Sequence, residues 1–182
     1  MPIDLTIPAC LARPTAIGLE REYQRFGPPN SETRAPCRRS RDPGVGGPKV
    51  RNQCAVRMSV ALCRSMNGDI FDAYTEGALH SARCCAGRDA DKYRHITSSE
   101  TLYTYLSGTL NFRFSPAGTD PGSLRHPGII FFQNIQGFRN GAGDHIDYWN
   151  GQTYFNAVTG EGGPSGALTL FNRASRVFFC RL

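Results

Sequence analysis

Three residues in this chain have the types required for thiol acyl chemistry. Cys54 lies in "NQCAVRMSVALCRSMNG" (52–68), and His145 and Asn156 lie in "DHIDYWNGQTYFNAV" (144–158). Such chemistry needs a thiolate to attack a carbonyl, an imidazole to take and return the proton, and an acceptor to hold the imidazole in one tautomer and orientation. In this reading His145 deprotonates Cys54 and later protonates the leaving amine, while Asn156 orients the ring. Asp147, two residues beyond His145 on the same strand face, is a second candidate orienter. The Cys54 backbone N–H, with Gln53 or Asn52, supplies candidate oxyanion donors, and Trp149 is grouped with them as a candidate substrate contact.

The elements around these residues must bring them together. Asn52 reads as the N-cap of a helix in which Ala55, Met58, Leu62 and Met66 recur at helical spacing beside Val56, Val60 and Cys63. Asn67-Gly68 is its stop signal. Cys54 then lies two residues past the cap, where unpaired backbone N–H groups and the positive end of the helix dipole favour a thiolate. Cys63 belongs to the apolar row and reads as a core cysteine. Asn150-Gly151 predicts a two-residue type I′ hairpin that pairs Trp149 with Gln152. That register sets His145 opposite Asn156, with Cβ atoms about 4.5–5.5 Å apart, and Asp147 opposite Tyr154. A one-residue bulge breaks the register and moves the orienting role to Asp147.

The rest of the chain supplies a mixed set of elements. "GLEREYQRF" suggests a short helix, and 27–49, rich in Pro, Gly and Arg, reads as a long irregular basic loop. "TSSETLYTYLSG" predicts a second helix with a Thr97/Glu100 capping box, ended by Gly108. "GIIFF" (128–132) suits a strand buried on both faces, and "RVFFCRL" (176–182) resembles it, with Cys180 a packed strand residue. With 182 residues and 40% hydrophobic content, one domain over 1–182 is expected. The net charge of +6 favours anionic partners. No stretch is apolar enough for a membrane span, and the opening "MPIDLTIPACLARP" lacks the pattern of a Sec-type signal. The seven cysteines are an odd number, so at least one thiol stays free in a monomer, and Cys54 is the candidate. A disulfide from Cys10 or Cys37 to Cys84 or Cys85 is compatible with an oxidising compartment. No CxxC pair occurs, and neither a metal nor a cofactor is expected, although His80 and His95 flank Cys84-Cys85.

The segments "NQCAVRMSVAL", "GIIFF", "GDHIDYWNG" and "ASRVFFCRL", in that order from Asn52 to Leu182, resemble the fourth family of type VI secretion amidase effectors. The resemblance implies an α+β, papain-like fold of the NlpC kind, with the catalytic helix packed on an antiparallel sheet. It implies a cysteine endopeptidase that cleaves peptidoglycan stem peptides between γ-D-glutamate and meso-diaminopimelate. It further implies manufacture in the producer cytoplasm, delivery by a type VI secretion apparatus into the periplasm of rival Gram-negative cells, and inhibition by a cognate immunity protein. Carried over by position, the family nucleophile falls on Cys54, its histidine on His145, and its third member, usually an acid, on Asn156. This amide is a departure from the family pattern, and Asp147 is expected to restore some of the missing charge. Relatives often carry a single Cys after an Arg where this chain has "RCCAG" (83–87), so one of Cys84 and Cys85 is expected to pack beside the active-site helix. Some relatives hold a loop with a disulfide, but no Cys occurs between Cys85 and Cys180, so "QNIQGFRNGAG" (133–143) is expected to be an unstapled loop.

Two other functions fit parts of the sequence. A deamidase or transglutaminase-like toxin acting on a target-cell protein would use the same triad, because the triad specifies acyl chemistry while the pocket selects the substrate. A non-catalytic module binding nucleic acid or another anionic polymer would use Arg34, Arg38, Arg39, Arg41, Lys49 and Arg51. That segment has no interleaved aromatic residue on which bases could stack, so no nucleic-acid partner is expected.

Overall fold

The apolar run "GIIFF" becomes the strand around which the rest is arranged. The computed structural model describes residues 13–26, 53–68, 70–71, 83–84, 95–138, 143–153 and 170–182. Helix α1 (Ala16–Gln24) is followed by α2 (Cys54–Ser65), by a two-stranded pair of β1 (Arg83–Cys84) and β2 (His95–Ile96), and by α3 (Ser99–Gly108). Strands β3 (Ser115–Ala117), β4 (Gly128–Ile135), β5 (Gly143–Trp149) and β6 (Ala174–Arg181) follow, with a short 3-10 turn at Pro121–Ser123 between β3 and β4. Among the described residues these four strands form one antiparallel sheet in the order β3-β6-β4-β5. The fold is therefore α+β, with the Cys54 helix packed on an antiparallel sheet.

Side-chain alternation along β4 divides the core. Ile129 and Phe131 join Ile146 and Tyr148 of β5 and the α2 residues Ala55, Met58 and Leu62 on one face. Ile130, Phe132 and Ile135 join Trp149, Phe171 and Phe179 on the other. An uninterrupted apolar strand fits this place because both of its faces are covered, and each such side chain contributes about 1.5–3 kcal/mol by leaving water.

Helix α2 is enclosed more completely than its apolar stripes predict, since every residue from Cys54 to Cys63 is buried. Its polar members have structural partners: Ser59 Oγ accepts the Ile96 N–H at 3.1 Å and ties β2 to the helix. Helix α1 covers another side of α2, with Leu19 and Tyr23 in the shared core. Buried Glu22 on α1 is ion-paired with Arg25 at 3.0 Å and with Arg64 of α2 at 3.9 Å. Helix α3 is held to the sheet by Tyr103, whose ring stacks on Phe131 with centroids 4.4 Å apart.

The observed boundaries differ from the expected ones in informative ways. The α2 N-cap is Gln53, which makes no side-chain capping bond, so Cys54 is the first helical residue; Asn52 lies outside the described residues. The α3 N-cap is Ser98, whose side chain accepts the Thr101 N–H at 3.3 Å, in place of the expected Thr97. The expected loop 133–143 starts later than its composition suggests. Residues Gln133 to Ile135 continue β4 through a register shift, and the Asn134 N–H (φ 52°) is satisfied by Asp144 Oδ1 at 2.8 Å. The turn beyond is tied to Arg173, whose carbonyl accepts the Gln136 N–H at 2.9 Å and whose guanidinium returns a bond to the Gln136 carbonyl. The basic segment 27–49 and the side chains of Cys10, Cys37, Cys84 and Cys85 lie outside what the structure describes.

The end of α2 follows the expected stop with one difference: Asn67, at φ 53°, takes the left-handed position usually given to glycine. Its N–H bonds the Arg64 carbonyl at 3.2 Å, and the Gly68 N–H bonds the Cys63 carbonyl at 3.0 Å, closing a Schellman motif. Asn67→Val should therefore cost about 1–2 kcal/mol, because a β-branched residue is strained there, while Asn67→Gly should match or exceed the parent stability. Thermal unfolding of the three proteins checks this, and equal melting of the valine and glycine variants would remove the left-handed requirement.

Candidate active site

The N-terminus of α2 abuts β5, which lies at the end of the described sheet. Cys54, 4% exposed, carries its sulfur to the strand that holds His145 and Asp147. The sulfur interacts with the His145 ring and the backbone N–H of Ile146, and Ser99 Oγ lies 3.0 Å from it. His145 and Asp147 are themselves buried. His145 Nε2 is 3.2 Å from Asp147 Oδ2, and the Tyr148 N–H donates to Asp147 Oδ1 at 2.8 Å. Phe132 packs against the imidazole with ring centroids 6.2 Å apart. With Nε2 directed at the carboxylate, Nδ1 is the ring nitrogen left for proton exchange with the thiol.

Burial opposes ionisation of both partners, yet each is pushed toward its charged form. For Cys54, burial raises the thiol, but the His145 charge and hydrogen bonds from His145, Ser99 and Ile146 together bring it below its ordinary value. For His145, burial lowers the imidazole, but the Cys54 charge and the Asp147 hydrogen bond outweigh that and raise it to about 10. A thiolate and imidazolium held in contact explain both shifts, because each stabilises the other's charge in a place with little water. The two titrate as one coupled unit.

Arg57, one helical turn after Cys54, is also buried. Burial pulls its guanidinium down, while Tyr23, Asp147 and Cys54 pull it up. It brings a second positive charge to a cluster that already holds a thiolate, a carboxylate and an imidazolium. Among the described residues, no three His, Cys, Asp or Glu side chains are grouped to hold a metal ion.

The structure thus brings Cys54, His145 and Asp147 together. Gln53, half-buried, precedes Cys54 as the N-cap of α2. Trp149 shares a strand face with His145 and Asp147, but its indole is committed elsewhere. Its Nε1 donates to the Leu124 carbonyl at 2.7 Å, and the ring packs on Phe171 in the core.

Asn156 lies outside the described residues, as do Tyr154 and the remainder of the expected partner strand. The turn before it does not have the expected register. Asn150 N–H bonds the Thr153 carbonyl at 3.0 Å, and Asn150 Oδ1 accepts the N–H groups of Gln152 and Thr153. Gly151 has φ 100°, while Asn150 does not adopt the positive φ that a type I′ turn demands. The asparagine side chain thus builds an Asx turn, which displaces the predicted pairing of Trp149 with Gln152. Sequence reasoning missed Ser99, Arg57 and the Ile146 N–H as neighbours of the thiol. Their only sequence signals were a second serine beside a cap and an arginine inside an otherwise apolar helix.

Comparison with known proteins places the chain. Residues 50–179, well over half of the chain, match the family model for the type VI secretion system amidase effector protein 4, Tae4. Among solved structures, the Tae4-Tai4 effector-immunity complex from Enterobacter cloacae gives a TM-score of 0.64 at 17% identity, covering 93% of this chain and 99% of that one. Tae4 from Enterobacter cloacae gives 0.63 at 16%, covering 93% and 97%. Tae4 from Salmonella typhimurium, in complex with the Enterobacter cloacae immunity protein Tai4, gives 0.59 at 15%, covering 93% and 99%. A search of curated proteins finds no significant match. The structural likeness speaks for the α+β fold and the family model for descent: this chain belongs to the type VI secretion system amidase effector 4 family.

Proposed function

We propose that this effector is a papain-like cysteine endopeptidase of the NlpC kind, with peptidoglycan stem peptides as its substrate. It cleaves the bond between γ-D-glutamate and meso-diaminopimelate in the periplasm of rival Gram-negative cells, after delivery by the type VI secretion apparatus. The observation that carries the reading is the buried line from Cys54 through His145 to Asp147 at the start of α2. The family membership supplies amidase chemistry and secretion as its context.

In the proposed reaction the Cys54 thiolate attacks the scissile carbonyl, and the oxyanion is met by the Cys54 N–H with a donor from Gln53 or Asn52. His145 gives its proton to the leaving diaminopimelyl amine, producing a thioester to the glutamyl carbonyl. Water then attacks the thioester, passes a proton to His145 and releases the thiolate. Asp147 holds Nε2 so that Nδ1 faces the sulfur, and its full charge stabilises the imidazolium. This assignment gives Asp147 the orienting role expected of Asn156, on the strength of the 3.2 Å contact and the displaced turn register. Tae4 proteins of known structure occur in complexes with Tai4 immunity proteins, and we propose a cognate immunity protein for this chain as well.

Incubation of Gram-negative sacculi with wild type should release fragments ending at γ-D-glutamate together with free diaminopimelyl peptides. Cys54→Ala should abolish this, a loss on the order of a thousandfold or more. Intact sacculi with folded, reduced wild type would sink the peptidoglycan assignment, and mass shifts on target-cell protein glutamines would then favour a deamidase. Asp147→Ala should lower kcat by on the order of a hundredfold or more, and by more than Asn156→Ala; the opposite order would return the role to Asn156. Because the thiol is lowered and the imidazole raised to about 10, the thiolate-imidazolium form occupies the interval between these two titrations. The kcat/KM profile should therefore rise with an acid limb below the ordinary thiol range and fall near pH 10. Iodoacetamide should modify Cys54 below neutral pH while Cys63 and Cys180 stay inert; equal modification of the three would contradict an activated thiol.

A further inference from the structure

Two helix N-termini meet at one sulfur. Helix α2 begins with Cys54 itself, and α3 begins with Ser99, whose Oγ lies 3.0 Å from Cys54 Sγ. The contact spans 45 residues of sequence and is buried, with Ser99 6% exposed. Ser99 stands beside the N-cap, but the capping is done by Ser98, which accepts the Thr101 N–H. The Ser99 hydroxyl is thereby available to the sulfur. A thiolate carries no proton, so a hydroxyl facing it must act as the donor.

We propose that Ser99 is part of the thiol-activating machinery, its hydroxyl donating a hydrogen bond to the Cys54 sulfur whenever that sulfur is negative, in the resting enzyme and at the release of the acyl group. The inference rests on Cys54 being the nucleophile. Ser99 transfers no proton. In acylation the S–C bond forms, the C–N bond breaks, and the imidazolium proton goes to the amine. In deacylation the water O–C bond forms, the C–S bond breaks, and a water proton returns to His145. The thioester sulfur between these steps is a poor acceptor, so the Ser99 bond weakens on acylation and strengthens as the thiolate leaves. It thus raises the thiolate fraction at low pH and assists the second half of the cycle. The positive end of the α3 dipole acts in the same direction.

His145 and Arg57 act on the same sulfur by charge, and His145 also by a hydrogen bond; the other titratable or charged groups on the elements packed around α2 are Asp147 on β5, Glu22 and Tyr23 on α1, His95 on β2 and Glu100 on α3. A change at Ser99 leaves all of them in place, so a pH shift reports the hydroxyl itself. The decisive comparison is Ser99→Val against Ser99→Thr, two side chains of equal shape that differ in the hydroxyl, with Ser99→Ala as the smaller deletion. Thiolate ultraviolet absorbance, iodoacetamide modification and kcat/KM on sacculus fragments are followed against pH, beside wild type and Cys54→Ala, with melting temperatures recorded. Loss of the hydroxyl in the valine and alanine variants should move the acid limb of all three profiles up by about one pH unit or more, and threonine should restore it. Profiles of Ser99→Ala or Ser99→Val that coincide with wild type, while Cys54→Ala is inactive, would overturn the role of Ser99 and leave the nucleophile standing. Undiminished activity in Cys54→Ala would remove the nucleophile, and the Ser99 inference with it.

Discussion

Everything at this site depends on placing the first turn of a buried helix against a β-strand. The start of α2 has N–H groups with no helical acceptors, and β5, with β4 on its other side, turns the Ile146 N–H toward the same point. A neutral side chain there would leave donors without an acceptor in a region with little water. A sulfur that carries negative charge accepts the Ile146 N–H and is favoured by the positive end of the helix, and burial makes these interactions stronger than in water. The enclosure of α2 by α1, β2, α3 and the sheet is what holds the helix start to that strand.

Charge balance is the second consequence of burial. A carboxylate and a thiolate in one enclosed cluster would repel each other. His145 and Arg57 offset them, one between the two negative groups and the other a turn along α2. A buried arginine in an apolar helix is costly as a packing element; beside Asp147 and Cys54 it is explained as the counterweight of a charged site. The Tyr148 N–H donates to Asp147 Oδ1 and fixes the plane of the carboxylate.

The family relationship and the local geometry bear on different questions. Membership in the Tae4 family accounts for an amidase that is secreted and for the α+β fold. The local geometry bears on which side chain orients the imidazole. In this chain an aspartate two residues from the histidine contacts Nε2 at 3.2 Å. A carboxylate on the histidine's own strand, two residues away, gives the imidazole a charged acceptor within that strand.

The sequence by itself determined the local elements and the chemical types. The α2 helix, the doubly buried β4, the closing β6 and the pair Cys54 and His145 were all legible, because periodicity, turn residues and reactive side chains are written over short distances. Two helix starts shifted by one residue, since Ser98 took a cap that Thr97 suits about as well by type and α2 begins after Gln53, which makes no capping bond. What only the tertiary structure decided were meetings between distant segments. Ser99 reaches Cys54 across 45 residues, and Arg57 faces Asp147 only because α2 lies on β5. Trp149 turned into the core because Phe171 and the Leu124 carbonyl were there to receive it. The hairpin register failed as a prediction for the same reason in miniature: the Asn150 side chain formed its own bonds to the turn backbone, and such a competition is decided by three-dimensional geometry rather than by residue type.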